Sequence, residues 1–261
     1  MSGSQGVAVQ HSSLLNFLYS MKEQPGITES DRLLAITTIS FDIAALEIYL
    51  PLITGATVVL ANRETTIDAD LLSQKIADNN ITIMQATPAT WQMLVANNWQ
   101  GNKQLKILCG GEALSQNLAL ELSSKSQEIW NLYGTTETTI WSAIYQFKRD
   151  RNCELNNVSI GKAIANTQFY ILDSQLNPVP QGIAGELYIG GAGKSRGYLN
   201  RPDLTAEKFI PNPFSVNSPK GYRFAYQQLT VNRSSPAPSA LTRVGFLQSG
   251  RIKRSQIVEM T

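Results

Sequence analysis

The sequence predicts an α/β fold: an open, mostly parallel sheet with crossover helices, followed by a smaller β-rich lobe. Two observations carry this expectation. From Ser12 to about Leu132, stretches with apolar residues three and four apart alternate with short apolar runs, the pattern of parallel strands joined by helices. After Tyr133 the texture changes to short β-prone runs separated by Asn, Pro and Gly turn signals.

Each element has a local reason. Ser12 or Ser13 can cap a first helix that places Leu14, Leu15, Phe17, Leu18 and Met21 on one face. Arg32 to Thr38 reads as a strand. Ser40 or Asp42 can cap the next helix, with Ala45, Ile48, Tyr49 and Leu52 as its expected apolar face, before Thr57 to Ala61 returns as a buried strand. Leu71 to Ala77 predicts a helix and Ile81 to Gln85 a strand. Pro88 suits a helix start ahead of Trp91, Leu94 and Val95, and Leu105 to Cys109 is strand again. In the β-rich part the expected strands are Thr138 to Phe147, Gln168 to Leu172 and Glu186 to Ile189, with turns at Asn177-Pro178 and Gln181-Gly182. The domain reading is residues 1–147 for the α/β part, 148–222 for the β-rich lobe and 223–261 for a divergent basic tail.

Composition narrows the function class. The 261 residues carry 22 Lys+Arg against 20 Asp+Glu, a net charge of +2, which points to neither nucleic acid nor an acidic membrane as partner. Cys109, Cys153 and the single His11 give no zinc framework, and reduced thiols in a cytoplasm are the simplest expectation. Cys109 reads as a small buried residue and His11 as a surface one. The apolar stretch Leu46 to Ala61 is broken by Glu47, Pro51 and Gly55, so no membrane span is expected there.

Asn131 to Thr138, NLYGTTET, ends a predicted strand, where open α/β sheets bind ligands. A carboxylate there can hold Mg²⁺ and a hydroxyl can reach a phosphate; an ordinary polar turn is the other reading. The segments TTISFDIAALEIYLPLITGATVVLA, ATPATWQML, CGGEALS, NLYGTTET and GELYIGGAGKSRGYLNRPDLTAEKFIPNPF occur in an order and spacing that resembles the adenylation domains of nonribosomal peptide synthetases, from Gly6 to about Tyr222.

That resemblance implies an adenylate-forming N-terminal domain that activates an amino acid with ATP and Mg²⁺ and passes it to a phosphopantetheine thiol on a carrier protein. It assigns Tyr133 to stacking on adenine, with Gly111, Glu112, Ala113, Asn131 and Gly134 around the nucleotide. It assigns Thr136 to phosphate and Glu137 to magnesium. Asp42 would pair with the substrate ammonium group, although from periodicity alone it reads first as a helix cap. The remaining pocket positions fall on Ile43, Leu46, Gln85, Leu108, Gly110, Leu132, Ile140 and Trp141. With Asp42 they resemble the family's glycine-selecting set, and the bulk of Ile43, Leu46, Leu108 and Trp141 would fill the space a side chain on the substrate needs. Gly190 to Gly197 mimics a phosphate loop, but Tyr188 stands where its first glycine is required; Gly190, Gly191, Gly193 and Gly197 read as turn and packing residues.

Two departures from the family pattern shape the functional expectation. The family's phosphate loop precedes the segment matching Gly6-Val7, where this chain reads Ser2-Gly3-Ser4-Gln5. Its ribose-holding Thr-Gly-Asp should follow Gly221-Tyr222, where RFAYQQLTVNRSS stands instead. From Phe224 to Val258 there is no Asp or Glu, which suggests a change of reading frame near Arg223, with a divergent tail carrying the basic stretch Arg251 to Arg254 as the alternative. The C-terminal subdomain and its catalytic lysine are expected to be absent. The sequence therefore suggests a weak or inactive activating enzyme, with one part of a split enzyme, a nucleotide- or partner-binding remnant and a pseudogene product as the alternatives.

Overall fold

A computed structural model describes residues 6–149, 158–180 and 183–214, and the backbone of 223–231, 242–248 and 256–260. Ser2 to Gln5, Cys153, the Gln181-Gly182 turn, Gly221-Tyr222 and Arg251 to Arg254 lie outside the described residues. The chain forms two compact units, one of Leu18–Tyr133 and Ile144–Val158, the other of Met1–Phe17, Gly134–Ala143 and Ser159–Thr261. A helix α1 (His11–Met21) opens the described chain.

The unit built on Leu18–Tyr133 contains, in order, β1 (Arg32–Ala35), α2 (Ala44–Thr54), β2 (Thr57–Leu60), α3 (Arg63–Ile67), α4 (Ala69–Asp78), β3 (Ile83–Ala86), α5 (Pro88–Ala96), β4 (Lys106–Gly110), α6 (Gln116–Ser123) and β5 (Glu128–Tyr133). A further strand, β6 (Ala143–Phe147), enters this unit from Ile144. The strands run β2-β1-β3-β4-β5-β6, and the first five pair in parallel. The helix starts are chemically marked. Asn62, Asp68, Thr87 and Ser115 accept backbone N–H bonds from Thr65, Leu71, Thr90 and Leu118, and Pro88 occupies the first turn of α5, where its missing N–H costs nothing.

Because strand side chains alternate, the sheet has two faces. One carries Leu34, Met84, Ala86, Ile107, Cys109 and Ile129, packed with Leu72 and Ile76 of α4, Trp91 and Leu94 of α5, and Leu118 and Leu122 of α6. The other carries Ile83, Gln85, Leu108, Gly110, Trp130 and Leu132, with Gln85 level with Leu108 and Leu108 level with Trp130. Trp91 belongs to the first layer and donates its indole N–H to the Leu108 backbone carbonyl at 3.4 Å.

Several local expectations change. Leu15 is exposed, and α1 buries Ser13, Phe17, Leu18 and Met21. The first strand stops at Ala35 rather than Thr38. Neither Ser40 nor Asp42 caps α2: Ile43 holds that position without a side-chain bond. The buried face of α2 is Ala44, Leu46, Glu47, Leu50 and Pro51, while Tyr49 and Leu52 are 47% and 64% exposed.

The other unit is antiparallel. It contains β7 (Lys162–Ala163), β8 (Thr167–Leu172), β9 (Gly185–Gly191), α7 (Pro202–Lys208), β10 (Phe209–Pro211), β11 (Arg223–Val231), β12 (Thr242–Gln248) and β13 (Gln256–Met260). The strands from β8 to β13 are ordered β13-β12-β11-β9-β8, with β10 against β11. Residues 138–142 are not strand as expected: a 3₁₀ turn over Thr136–Thr138 gives way to left-handed backbone, and extended structure begins only at Ala143. Among the described residues no helix is long and apolar enough to cross a membrane.

Candidate functional site

The carboxyl ends of parallel strands are where helix N-termini and loops leave room for a ligand. In the parallel unit these ends gather most of the sequence-derived candidates. Asp42 and Ile43 sit in the turn entering α2, and Leu46 is one turn further, fully buried. Gln85 is at the end of β3, Leu108 and Gly110 on β4, Asn131, Leu132 and Tyr133 on β5. Gln85, Leu108, Gly110 and Leu132 share one sheet face; Asn131 is buried on the opposite one. Gly111, Glu112 and Ala113 form the exposed loop after β4, and Gly111 needs its glycine because its φ is 87°.

The half-buried Asp42 carboxylate has no side-chain partner among the described residues. Its neighbour in the helix is the opposite. Glu47 is 0% exposed and takes bonds from four donors: the Ile36 and Thr37 backbone N–H groups on Oε2, both at 2.9 Å, and the Thr37 hydroxyl (2.5 Å) and Gln85 amide (2.9 Å) on Oε1. Burial raises its pKa above the usual carboxylate value, while each of these bonds lowers it. Gln85 also donates from Nε2 to the Ile43 carbonyl at 3.0 Å. Glu47 was missed in the sequence because it lies between Leu46 and Ile48 on a face expected to be solvated; the available signal was a carboxylate in an apolar helix with no basic residue within a turn.

Cys109 is buried, and desolvation together with the charge of Glu112 pushes its thiol pKa up, so it is a packing residue and not a nucleophile. Tyr133 is half-buried, and burial raises the pKa of its hydroxyl, keeping it neutral.

In the antiparallel unit the chain turns sharply at Gly134 and runs through Thr135 into the 3₁₀ turn. Thr139 and Ile140 then take φ values of 63° and 72°, rare for β-branched residues and strained. Two long-range contacts and one local one hold that strain. Thr139 donates its hydroxyl to the Gly193 carbonyl at 2.6 Å, the Ser195 N–H donates to the Glu137 carbonyl at 2.8 Å, and Ser142 donates to the Thr138 hydroxyl at 2.7 Å. Trp141 and Ile140 are buried here, and Thr136 and Glu137 half-buried.

The second residue missed in the sequence is Tyr198, whose hydroxyl donates to Glu137 Oε1 while its ring lies edge-on to Phe209 at 5.9 Å. Burial and the Glu137 contact both raise its pKa, so the phenol remains a donor. Glu137 Oε2 has no partner among the described residues. Magnesium needs only one or two protein carboxylates when substrate phosphates and water supply the other oxygens, so one open carboxylate oxygen beside Thr136 fits it. Among the described residues no cluster of three or more His, Cys, Asp or Glu forms an all-protein metal cage.

The Gly190 to Gly197 segment does not form a phosphate cradle. Ser195 Oγ is sealed in the interior without a hydrogen-bond partner, and Lys194 donates to the Ser195 carbonyl. Gly191, Gly193 and Gly197 instead allow close approach: an added Cβ would stand 2.0 Å from the Asn166 carbonyl, 2.9 Å from the Thr138 carbonyl and 2.4 Å from Thr205 Cγ2, respectively.

The sequence signature described as "AMP-binding enzyme" matches residues 4–199. The chain is 50% identical over 84% of its length to a dimodular nonribosomal peptide synthase of Bacillus subtilis, and 46% identical over 80% to a hybrid polyketide–nonribosomal peptide synthetase of Aspergillus candidus. It spans only 9% and 8% of those two proteins. Its fold superposes with a TM-score of 0.81 on the crystal structure of a four-domain nonribosomal peptide synthetase bound to AMP and glycine, at 40% identity, covering 89% of this chain and 17% of that one. The chain therefore belongs to the AMP-binding enzymes, and within them to the adenylation type found in nonribosomal peptide synthetases.

Proposed function

We propose that the chain activates an amino acid, glycine, as its adenylate. The substrate carboxylate attacks the α-phosphorus of ATP, pyrophosphate leaves, and the resulting mixed anhydride is the donor for a carrier-protein phosphopantetheine thiol. Tyr133, Asn131, Gly134 and the Gly111–Ala113 loop hold the adenosine, Thr136 contacts phosphate, and Glu137 holds magnesium, which neutralises phosphate charge when bound. Asp42 holds the substrate ammonium group. In-line displacement at phosphorus asks the protein mainly for positioning and charge compensation, and these residue types supply both.

The observation that carries the glycine reading is an uncommitted carboxylate, Asp42, at the head of a helix whose next residues, Ile43 and Leu46, are bulky, together with Leu108 and Leu132 on one sheet face. A substrate side chain would have to displace them. Overpacking of that kind costs about 1–3 kcal/mol per intrusion, enough to reject alanine about tenfold or more. The synthetase of known structure bound to AMP and glycine supports the same reading.

Turnover by the chain alone is expected to be low. A Thr-Gly-Asp does not follow Tyr222, where RFAYQQLTVNRSS stands instead. The test is binding and exchange together: calorimetry with a non-hydrolysable glycyl-adenylate analogue, and glycine-dependent exchange of pyrophosphate into ATP. Binding with slow exchange supports the proposal; fast exchange contradicts the low turnover; an absence of binding contradicts the function. Asp42→Ala is expected to weaken the glycyl analogue by about thirtyfold or more, the loss expected when a buried ammonium loses its counter-charge. An unchanged affinity would remove Asp42 from the site.

A further inference from the structure

We infer that Glu47 is a positioning residue of the amino-acid pocket: it clamps the Gln85 amide, and through it the turn carrying Asp42, so that the pocket stays closed to any substrate larger than glycine. The inference rests on the glycine-adenylation reading above and adds a residue and a device to it.

The geometry is a fork with one branch point. Gln85 Nε2 is held between Glu47 Oε1 at 2.9 Å and the Ile43 carbonyl at 3.0 Å. Ile43 follows Asp42 directly, so the amide ties β3 to the backbone on which the ammonium-binding carboxylate is mounted. Glu47 itself cannot swing, because Oε2 is pinned by the Ile36 and Thr37 backbone N–H groups and Oε1 also by the Thr37 hydroxyl. The Gln85 side chain is 1% exposed and Glu47 0%, so neither bond competes with water. All four groups around Glu47 donate, so only a carboxylate satisfies them all. A purely architectural tie between β1 and α2 would need the Ile36 and Thr37 bonds alone; the Gln85 branch is what connects it to the pocket.

Glu47→Gln is the discriminating change. The introduced amide has nearly the same shape and can turn its oxygen to the two backbone N–H groups, but its NH₂ then faces the Gln85 NH₂, donor against donor, and Gln85 must let go. Three measurements on the full chain decide the matter. In ¹⁵N spectra, the Gln85 side-chain amide protons exchange slowly with solvent in the unsubstituted chain and fast in Glu47→Gln. Affinities for glycyl- and alanyl-sulfamoyl adenosine differ by about tenfold or more in the unsubstituted chain and approach parity in Glu47→Gln. In a Gln85→Leu background, adding Glu47→Gln leaves the glycyl/alanyl ratio where Gln85→Leu put it, because the two act through one bond. A cooperative melt of each variant verifies folding. Retention of slow amide exchange and of the full glycyl preference in folded Glu47→Gln overturns the clamp. If the unsubstituted chain binds the glycyl probe without preferring it, the substrate reading fails, and the amide exchange alone still decides whether Glu47 holds Gln85.

Discussion

Gly134→Ala is expected to lower the melting temperature by roughly 6–12 °C and to remove binding of any adenylate analogue. A Cβ at this position would stand 2.1 Å from the Ile140 carbonyl oxygen, 2.6 Å from Trp141 Cα and 2.7 Å from the Ser142 nitrogen. All three are backbone atoms, so no rotamer change can make room. The segment must open, and opening it releases the left-handed Thr139 and Ile140 that the Gly193 and Ser195 contacts hold in place. An overpacking cost at the upper end of the usual range, about 3 kcal/mol, corresponds to that temperature shift in a domain of this size. Gly6→Ala is the control, since its Cβ would meet Leu199 at an ordinary 3.6 Å. A melting temperature for Gly134→Ala equal to that of the control contradicts the tight turn.

Glu137→Gln is expected to leave the fold intact and to abolish the dependence of nucleotide binding on magnesium. The substituted amide oxygen can still accept the Tyr198 hydroxyl, so the contacts around the turn persist. What disappears is the negative charge on the open oxygen, and an amide is a poor substitute for carboxylate toward a small hard cation. Removing one preorganised electrostatic partner in a phosphoryl-type site costs about 10² to 10³ in rate, and glycine-dependent exchange should fall by that factor from whatever level the chain supports. Titrating ATP with and without Mg²⁺ separates the two roles. The unsubstituted chain should bind ATP more tightly with the metal, and the variant equally with and without it. A variant that still responds to Mg²⁺ places the metal on another group.

The parallel sheet was legible because its signals are local. Short apolar runs such as Ile81 to Gln85 and Leu105 to Cys109 alternate with helical periodicity, and Pro88 marks the start of α5 in the sequence as it does in the fold. What escaped was set by partners far away in the chain. The apolar stripe expected on α2 put Tyr49 and Leu52 inward, yet the buried face is the one with Glu47, because donors from Ile36, Thr37 and Gln85 satisfy a carboxylate that periodicity alone would leave in water. The run Thr138 to Trp141 reads as strand from its β-branched residues, yet it turns left-handed where Gly193 bonds Thr139 and Ser195 bonds the preceding Glu137, both from more than fifty positions away. Candidate residues at strand ends, such as Asn131 and Tyr133, were easier: their place follows from where β5 stops. Tyr198 was not, since only the folded chain brings its hydroxyl to Glu137.

The most direct test is calorimetric titration of the purified chain with glycyl-sulfamoyl adenosine and, separately, with the leucyl equivalent. The expected result is saturable, one-to-one binding of the glycyl compound and no measurable binding of the leucyl one. Equal affinity for both, or binding of neither by a chain that melts cooperatively, would contradict a site formed for an adenosine phosphate and the smallest amino acid.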